Sequence, residues 1–216
     1  MSRTLSEPES KALLASYGIP CVAERIVSDA GAAAAAASEL GYPVVVKLAG
    51  GAITHKTERG LVRLDLATAE EVTAAATELL AAARPEDGDV SVLVAPMIRG
   101  IRELIVGVHR DPQFGACVMV GIGGVLAEAI ADVAFRLAPI SDIDAEEMIA
   151  DLAGQALLGS VRGQAAADMT SLVGVLRALS RLADERDDVV SIDVNPLLLD
   201  MHGAPIALDA LVETAA

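Results

Sequence analysis

Residues 41–62 read Gly41-Tyr-Pro-Val-Val-Val-Lys47-Leu-Ala-Gly-Gly-Ala-Ile-Thr-His55-Lys56-Thr-Glu-Arg-Gly60-Leu-Val62, and this stretch decides the fold. Its β-branched run predicts a strand from Pro43 to Leu48 that stops in a glycine-rich loop. The stretch also holds two of the three lysines and one of the three histidines of a chain whose formal net charge is −15. Cations gathered beside glycines in an acidic protein indicate a place where phosphate can be held.

The cations of this stretch allow two interpretations each. Lys47 ends the predicted strand, where its ammonium can project into a cleft and bind a phosphate, or it is an ordinary surface lysine. His55 and Lys56 lie in a loop flanked by glycines, which lets the backbone approach a ligand closely. A neutral imidazole can attack a phosphoryl group and carry it as a phosphoramidate, while the neighbouring lysine neutralises the incoming charge. The alternative is a solvated loop histidine without a chemical role.

Helices and strands alternate on both sides of this stretch. Upstream, capping and stop signals predict helices from Glu7 to Tyr17 and from Asp29 to Leu40, with a strand at 22–27 between them. Downstream, Thr68 opens another helix, and strands at 103–109 and 116–120 form a hairpin. The other predicted elements are strands at 61–66 and 90–98, an extended segment at 135–139, helices at 144–152 and 168–184, and strands at 189–194 and 205–209 around a turn at 202–203. The pattern predicts an α+β fold with much antiparallel pairing.

Composition excludes several classes of protein. The chain is 53% hydrophobic, yet no apolar run reaches the roughly 18 to 20 residues that a membrane span needs. The N-terminus lacks the apolar core of a secretory signal, and Cys21 and Cys117 are too few for a disulfide framework, so we expect a soluble protein of the reducing cytoplasm. Acidic residues outnumber basic ones 31 to 16, which argues against nucleic-acid binding.

Three further motifs carry possible chemistry. Gly121-Ile-Gly123-Gly124 follows a strand and can present N–H groups to an anion, or can be a plain tight turn. Asp193-Val-Asn195-Pro196 places two oxygen ligands on one face of a strand, which suits Mg²⁺ bridging nucleotide phosphates, or it is a strand-ending turn. Glu128, Asp132 and Arg136 recur at four-residue intervals, so they would share one face if this segment were a helix. The alternative to a chemical role is a set of surface ion pairs. His109 and His202 adjoin turns and read as surface residues.

Taken together, eight motifs resemble the ATP-grasp (beta) subunit of ADP-forming acyl-CoA synthetases, typified by ADP-forming acetate–CoA ligase and related to succinyl-CoA synthetase. The resemblance runs in order from about residue 5 to 212. The motifs are Leu5-Ser-Glu-Pro-Glu-Ser-Lys11 through Ile19-Pro20, Gly41 to Lys47, His55-Lys56, Ile105 to Gly115, Gly123 to Glu128, Asp132 with Phe135 to Pro139, Val161-Arg-Gly163 and Asp193 to Pro196.

The resemblance implies a fold, a reaction and partners. The fold is ATP-grasp, two α+β lobes with largely antiparallel sheets that clamp a nucleotide; residues 1–94 contain the lobe with Lys47 and His55, and residues 95–216 the lobe with the glycine-rich turn and metal site. The reaction is acyl-CoA + ADP + phosphate ⇌ carboxylate + CoA + ATP. The cofactors are ATP or ADP and Mg²⁺. The partner is a CoA-binding alpha subunit or domain, which makes the enzyme a hetero-oligomer.

The same resemblance implies roles for individual residues. His55 takes the phosphoryl group from a phosphohistidine of the alpha subunit and delivers it to ADP, assisted by Lys56. The residues that hold the nucleotide are Lys47 and Glu103 near the phosphates, Ala95 and Met97 at the adenine edge, and Gly123 and Gly124 through their N–H groups. The residues that hold Mg²⁺ are Asp193 and Asn195, and Arg136 binds phosphate or phosphohistidine.

Two departures from the family pattern qualify this interpretation. Ala95-Pro96 stands where relatives commonly have Gln-Glu, which removes a carboxylate and a backbone donor at the adenine edge. Leu61 stands where relatives commonly have glycine, which reduces backbone freedom near His55. The alternative function is therefore a regulatory ATP-grasp domain that binds nucleotide without turnover and acts on a CoA-binding or acyltransferase partner.

Overall fold

The structure is a computed structural model that describes residues 2–50, 53, 56, 58–124 and 131–215. His55 and Glu128 lie outside the described residues. The chain divides into two compact units, Val22–Ile98 and Met1–Cys21 together with Arg99–Ala216. Within the described residues, no helix combines the length and the apolar character that crossing a membrane requires.

The smaller unit is an antiparallel sheet covered on one face by two helices. Its strand order is β2 (Arg25–Val27), β5 (Val90–Pro96), β3 (Val44–Gly50) and β4 (Val62–Leu66), and its helices are α2 (Ala30–Leu40) and α3 (Ala69–Ala81). Asp29 accepts a hydrogen bond from the Ala32 amide at the start of α2, and Thr68 forms a capping box with Glu71 at the start of α3. Val44, Val46 and Leu48 alternate along β3 and pack with both helices in one apolar core. Lys47 therefore projects from the opposite face of the sheet.

The larger unit is a seven-stranded antiparallel sheet in the described part of the chain. Its order is β1 (Ser2–Thr4), β11 (Leu211–Ala215), β9 (Val189–Leu199), β6 (Arg102–Asp111), β7 (Gly115–Ile122) and β8 (Val133–Leu137), and β10 (Pro205–Ala207) also pairs with β9. Its helices are α1 (Glu7–Ser16), α4 (Asp142–Ala150) and α5 (Met169–Glu185). Val106, Val108, Val118 and Val120 pack with α4 and α5 in the core of this unit. Residues that alternate with these valines face away from the helices.

Most predicted elements are confirmed, and three differences matter. The N-terminal residues belong to the larger unit because β1 pairs with β11 and the Leu5 amide donates to the Val212 carbonyl, whereas the sequence-based division grouped them with the Lys47 lobe. The sequence analysis assigned no strand to 211–215, which form β11. Lys47 lies in the middle of β3 and is 9% exposed, so the expectation of a strand-end lysine was wrong.

An ion pair between Arg59 and Asp87 in the smaller unit predicts that the stability of the fold depends on pH. Arg59 donates two hydrogen bonds to the buried carboxylate of Asp87, at 2.7 and 2.9 Å, and the Arg84 amide donates a third. The Arg59 guanidinium and this amide lower the pKa of Asp87 to about 2. A depressed folded-state pKa stabilises the fold above the unfolded value near 3.8, and that stability is lost as pH falls through about 2.

We therefore expect Asp87→Asn to destabilise the protein at neutral pH and to flatten its loss of stability between pH 4 and pH 2. Chemical unfolding followed by circular dichroism at stepped pH measures both effects. The neighbouring Glu86→Gln is the matched control. Glu86 is exposed, and its ion pair with Arg84 is long, at 3.9 Å, so it contributes little to stability. An unchanged acid slope in Asp87→Asn would contradict the assignment.

Candidate functional site

The structure brings Glu103, Gly123 and Gly124 together at one end of the larger sheet. The Gly123 amide donates to the Glu103 carbonyl at 2.7 Å, immediately after β7. These three residues line a cavity of about 220 Å³, whose other walls are Ile101, Arg102, Leu104, Ile122 and Leu157. The arrangement places a carboxylate beside a glycine turn whose backbone can approach a ligand.

The turn requires glycine at both positions, for different reasons. A Cβ on Gly123 would lie 3.0 Å from the backbone C and O atoms of Glu103, closer than ordinary carbon contacts allow. Gly124 has a φ of +91°, and a Cβ there would lie 3.8 Å from Oε2 of Glu103. The Glu103 side chain thus lies within van der Waals distance of the turn, and the positive φ is what favours glycine at 124.

Asp193 lies on the same face of the sheet as Glu103. Asp193 pairs with Gly107 across β9 and β6, and Gly107 is an even number of residues from Glu103 along β6. Glu103 and Gly107 are four residues apart along β6, a distance of roughly 13 Å. This face is opposite to the one that α4 and α5 cover, so both carboxylates and Asn195, which is exposed, stand on the face of the larger sheet that these two helices do not cover.

The electrostatics of Asp193 indicate a carboxylate suited to a cation. Surrounding protein atoms remove part of its hydration, which raises its pKa, and the negative charge of Asp209 raises the pKa further. Two carboxylates held this close repel each other until a cation or a proton joins them. The sequence analysis missed Asp209, although it predicted the strand that ends there.

The position of Asp209 follows from the hairpin between β9 and β10. Ala207 pairs with Leu197, and the Leu208 amide donates to the Pro196 carbonyl at 3.1 Å. Extending this antiparallel register by two residues places Asp209 opposite Asn195. Helix α1 supports this segment from behind, because Nζ of the buried Lys11 donates to the Leu208 carbonyl at 3.2 Å and pairs with Glu7 at 2.8 Å. Asp209 is therefore held beside the two residues predicted to bind metal.

A groove of about 410 Å³ extends along the same face from Asp193 toward the β6–β7 hairpin. Its lining includes the apolar side chains of Phe114, Phe135, Leu137 and Met119. These side chains suit an apolar group rather than a phosphate. The oxygen ligands at the Asp193 end thus mark the charged part of this face.

The residues predicted around adenine lie in the smaller unit. Ala95 is buried in β5 opposite Val45 of β3. The Met97 amide donates to the Pro43 carbonyl at 2.9 Å, so the fold already uses this donor. A contact from Met97 to an adenine edge would therefore use its carbonyl oxygen or its side chain.

Described residues before and after His55 make backbone hydrogen bonds within the smaller unit. Ile53 is buried in the smaller core, and its amide donates to the Gly50 carbonyl at 3.2 Å. Leu61 is 2% exposed in the same core, and its amide donates to the Lys56 carbonyl at 2.8 Å. Leu61 thus fixes the loop at Lys56 through packing as well as through its backbone.

Arg136 and Asp132 make contacts within the larger unit. Arg136 donates to Asp151, at the end of α4, at 2.8 Å and lies 3.8 Å from Glu147. A role toward phosphate would require this guanidinium to leave its ion pairs. The Asp132 carboxylate accepts hydrogen bonds from the Ala153 and Gly154 amides at 2.8 and 2.7 Å. It fixes the segment after α4.

Comparison with known proteins identifies the family. A family model described as an ATP-grasp domain matches residues 1–214. The chain is 36% identical to the beta subunit of ADP-forming acetate–CoA ligase II of Pyrococcus furiosus over 211 residues, 95% of this chain and 89% of the relative. It also resembles a solved acetyl-coenzyme A synthetase 1 of Ca. Korarchaeum cryptofilum in complex with coenzyme A and Ca-AMPCP, with a TM-score of 0.91 and 33% identity over 98% of this chain and 93% of that one.

A second solved state of the Korarchaeum enzyme holds coenzyme A and Mg-AMPPCP, with a phosphohistidine segment pointing towards its nucleotide-binding site. That state has a TM-score of 0.85 and 33% identity, over 98% of this chain and 93% of that one. The similarity extends over nearly the whole length of each protein compared. The chain therefore belongs to the ATP-grasp family, among the beta subunits of ADP-forming acyl-CoA synthetases.

Proposed function

We propose that this subunit binds Mg-ADP and passes a phosphoryl group to it from a partner subunit, through His55. The net reaction is acyl-CoA + ADP + phosphate ⇌ carboxylate + CoA + ATP. The observation that carries the proposal is the face of the larger sheet that α4 and α5 do not cover, which presents Glu103, the glycine turn and the Asp193–Asn195 pair. A phosphoryl transfer needs positioned charges and oxygen ligands more than it needs covalent help from the protein.

The residues at Asp193 fit a magnesium ion. Mg²⁺ takes one or two protein carboxylates and completes its shell with water and substrate phosphate oxygens. No group of three or more His, Cys, Asp or Glu side chains suited to a metal ion is found within the described ranges. We assign Asp193, Asn195 and Asp209 to the metal; when bound, it would neutralise charge on the β- and γ-phosphates.

The smaller unit supplies the other cations. Lys47 projects from the face of its sheet opposite the helices, and we assign it to nucleotide phosphates. Ala95 and Met97 would contact adenine. Lys56 follows His55 and would neutralise charge on the phosphoryl group while the histidine carries it. Arg136 forms an ion pair with Asp151. Binding of phosphate by Arg136 therefore stays a prediction.

The partner in this proposal is a CoA-binding subunit that forms the first phosphohistidine. A nitrogen of His55 would attack that phosphorus, breaking one P–N bond as another forms, and a β-phosphate oxygen of ADP would then take the group and release the imidazole. The loop must therefore serve two positions. The Leu61 anchor restrains it, and this is the observation that favours the alternative of a nucleotide-binding regulator without turnover.

Labelling separates the two functions. We expect incubation with [γ-³²P]ATP and Mg²⁺ to give a base-stable, acid-labile label on the chain, and a chase with ADP to return the label as ATP. A CoA-binding partner should increase the rate. Mg-ADP binding without any label, with and without that partner, would establish the regulator and overturn the enzyme.

A further inference from the structure

A tight turn at 161–164 displays an arginine in a backbone conformation that arginine rarely adopts. The Gln164 amide donates to the Val161 carbonyl at 2.9 Å, and the two residues form a β-bridge. Arg162 and Gly163, between them, have φ values of +48° and +84°. Two consecutive positive φ values are typical of a type I′ turn, which favours Asn or Gly at its first central position. An arginine there is strained, so stability does not explain its presence.

The guanidinium of Arg162 is also without a partner among the residues that the structure describes. Arg162 is exposed. Each of the other lysines and arginines in the described ranges has a hydrogen bond, an ion pair or another electrostatic interaction, whereas Arg162 has none. In a chain with nearly twice as many acidic as basic residues, an unpaired cation on a strained turn indicates an external anion.

The segment behind the turn is held by a second, buried arginine. Arg102 is 3% exposed and donates to the carbonyls of Leu157, Gly159 and Ala165, at 3.4, 3.0 and 2.6 Å. Its Nε has no hydrogen-bond partner, and no ion pair neutralises it within the described residues. A buried cation without an anion is costly. Its donors bond to carbonyls both before and after Arg162, so it fixes the base of the turn.

Both anchors of this segment, Arg102 and Asp132, are connected to the glycine turn at 121–124 by backbone hydrogen bonds. Arg102 precedes Glu103, whose carbonyl accepts from Gly123. Asp132, whose carboxylate holds the Ala153 and Gly154 amides, accepts from the Ile122 amide through its carbonyl. The segment that displays Arg162 is therefore tied to the backbone that forms the candidate phosphate site.

We propose that Arg162 is a phosphate-binding residue of this subunit. The proposal rests on the function proposed above and adds a ligand contact to it. A guanidinium binds a phosphate through two parallel N–H donors, which lysine cannot reproduce. Two sources can supply this phosphate: the nucleotide, or the phosphoryl group delivered by the partner.

The variant Arg162→Asn tests the proposal, because asparagine suits the turn. We expect its Tm to rise by roughly 2–4 °C as the strain is relieved, and its phosphate-dependent function to fall at least about tenfold. Titration of the full chain with Mg-ADP forms one arm, and ATP formation with the CoA-binding partner forms the other. A weaker Mg-ADP affinity assigns the contact to the nucleotide. Unchanged affinity with slower transfer assigns it to the phosphoryl group that the partner delivers.

Two controls make the result decisive. Arg162→Lys keeps the charge and should recover only part of the loss, whereas Arg25→Gln removes an exposed charge that donates to the neighbouring Glu24 carbonyl and should change neither arm. Equal Mg-ADP affinity and equal transfer in Arg162→Asn would overturn the proposal. If the unsubstituted complex forms no ATP, the proposed function fails, and equal titration of Arg162→Asn with Mg-ADP then overturns this inference as well.

Discussion

Replacing His55 by alanine is expected to abolish the acid-labile phosphoryl label and to reduce partner-driven ATP formation by at least about 10³-fold. In the proposed reaction only a nucleophilic side chain can hold the phosphoryl group between the partner and ADP. Lys56 cannot replace it, because an ammonium carries no lone pair at neutral pH. Binding of Mg-ADP should persist in this variant, since the metal ligands and the glycine turn belong to other residues. Quench-flow labelling and equilibrium titration measure the two quantities separately.

The other histidines supply the matched controls for this prediction. His109 lies near the end of β6, and His202 lies in the turn between β9 and β10. Each alanine variant removes one imidazole from an exposed position without touching the loop. We expect both to keep the label. A label that survives in His55→Ala but disappears in His109→Ala would move the carrier to the larger unit and contradict the proposed role of His55.

The sequence predicts most of the fold because local signals and tertiary packing agree. Asp29, Thr68 and Asp168 each accept a hydrogen bond from an amide in the first turn of the helix that follows. The β6–β7 hairpin forms where the Asp-Pro and Gly signals predict it. Strand β11 escaped prediction because its partners, β1 and β9, come from opposite ends of the chain. No local pattern reveals such a pairing.

The sequence indicates the residue types of the candidate site but not the distances between them. Glu103, Gly123 and Gly124 were expected to serve the nucleotide, and they line one cavity. The sequence analysis missed Asp209 because a single acidic residue after a short strand belongs to no motif. Extending the predicted hairpin around His202–Gly203 would have placed Asp209 opposite Asn195. The burial of Lys47 and the ion pair of Arg136 depend on side-chain packing, which the sequence pattern does not determine.

Replacing Asp193 by asparagine is expected to abolish magnesium-dependent nucleotide binding while stabilising the protein that lacks ligand. The raised pKa of Asp193 means that its charged form is disfavoured in the fold by burial and by Asp209. Removing that charge therefore raises the Tm of the free protein. Ligand present at 100 times its Kd stabilises a protein by about 2.7 kcal/mol, and we expect the variant to lose this Mg-ADP-dependent shift.

The pH dependence of metal binding gives the same assignment an independent test. Protons compete with the metal for a carboxylate, so affinity for Mg²⁺ should fall as pH decreases through a range above the ordinary 3.8 of an aspartate. Removing the charge in Asp209→Asn lowers the pKa of Asp193 and should shift this fall to lower pH, in addition to weakening binding. Asp188→Asn is the control, because Arg186 already pairs with that carboxylate at 2.7 Å. If Asp193→Asn kept the Mg-ADP-dependent Tm shift while Asp188→Asn lost it, the metal would lie elsewhere on the sheet.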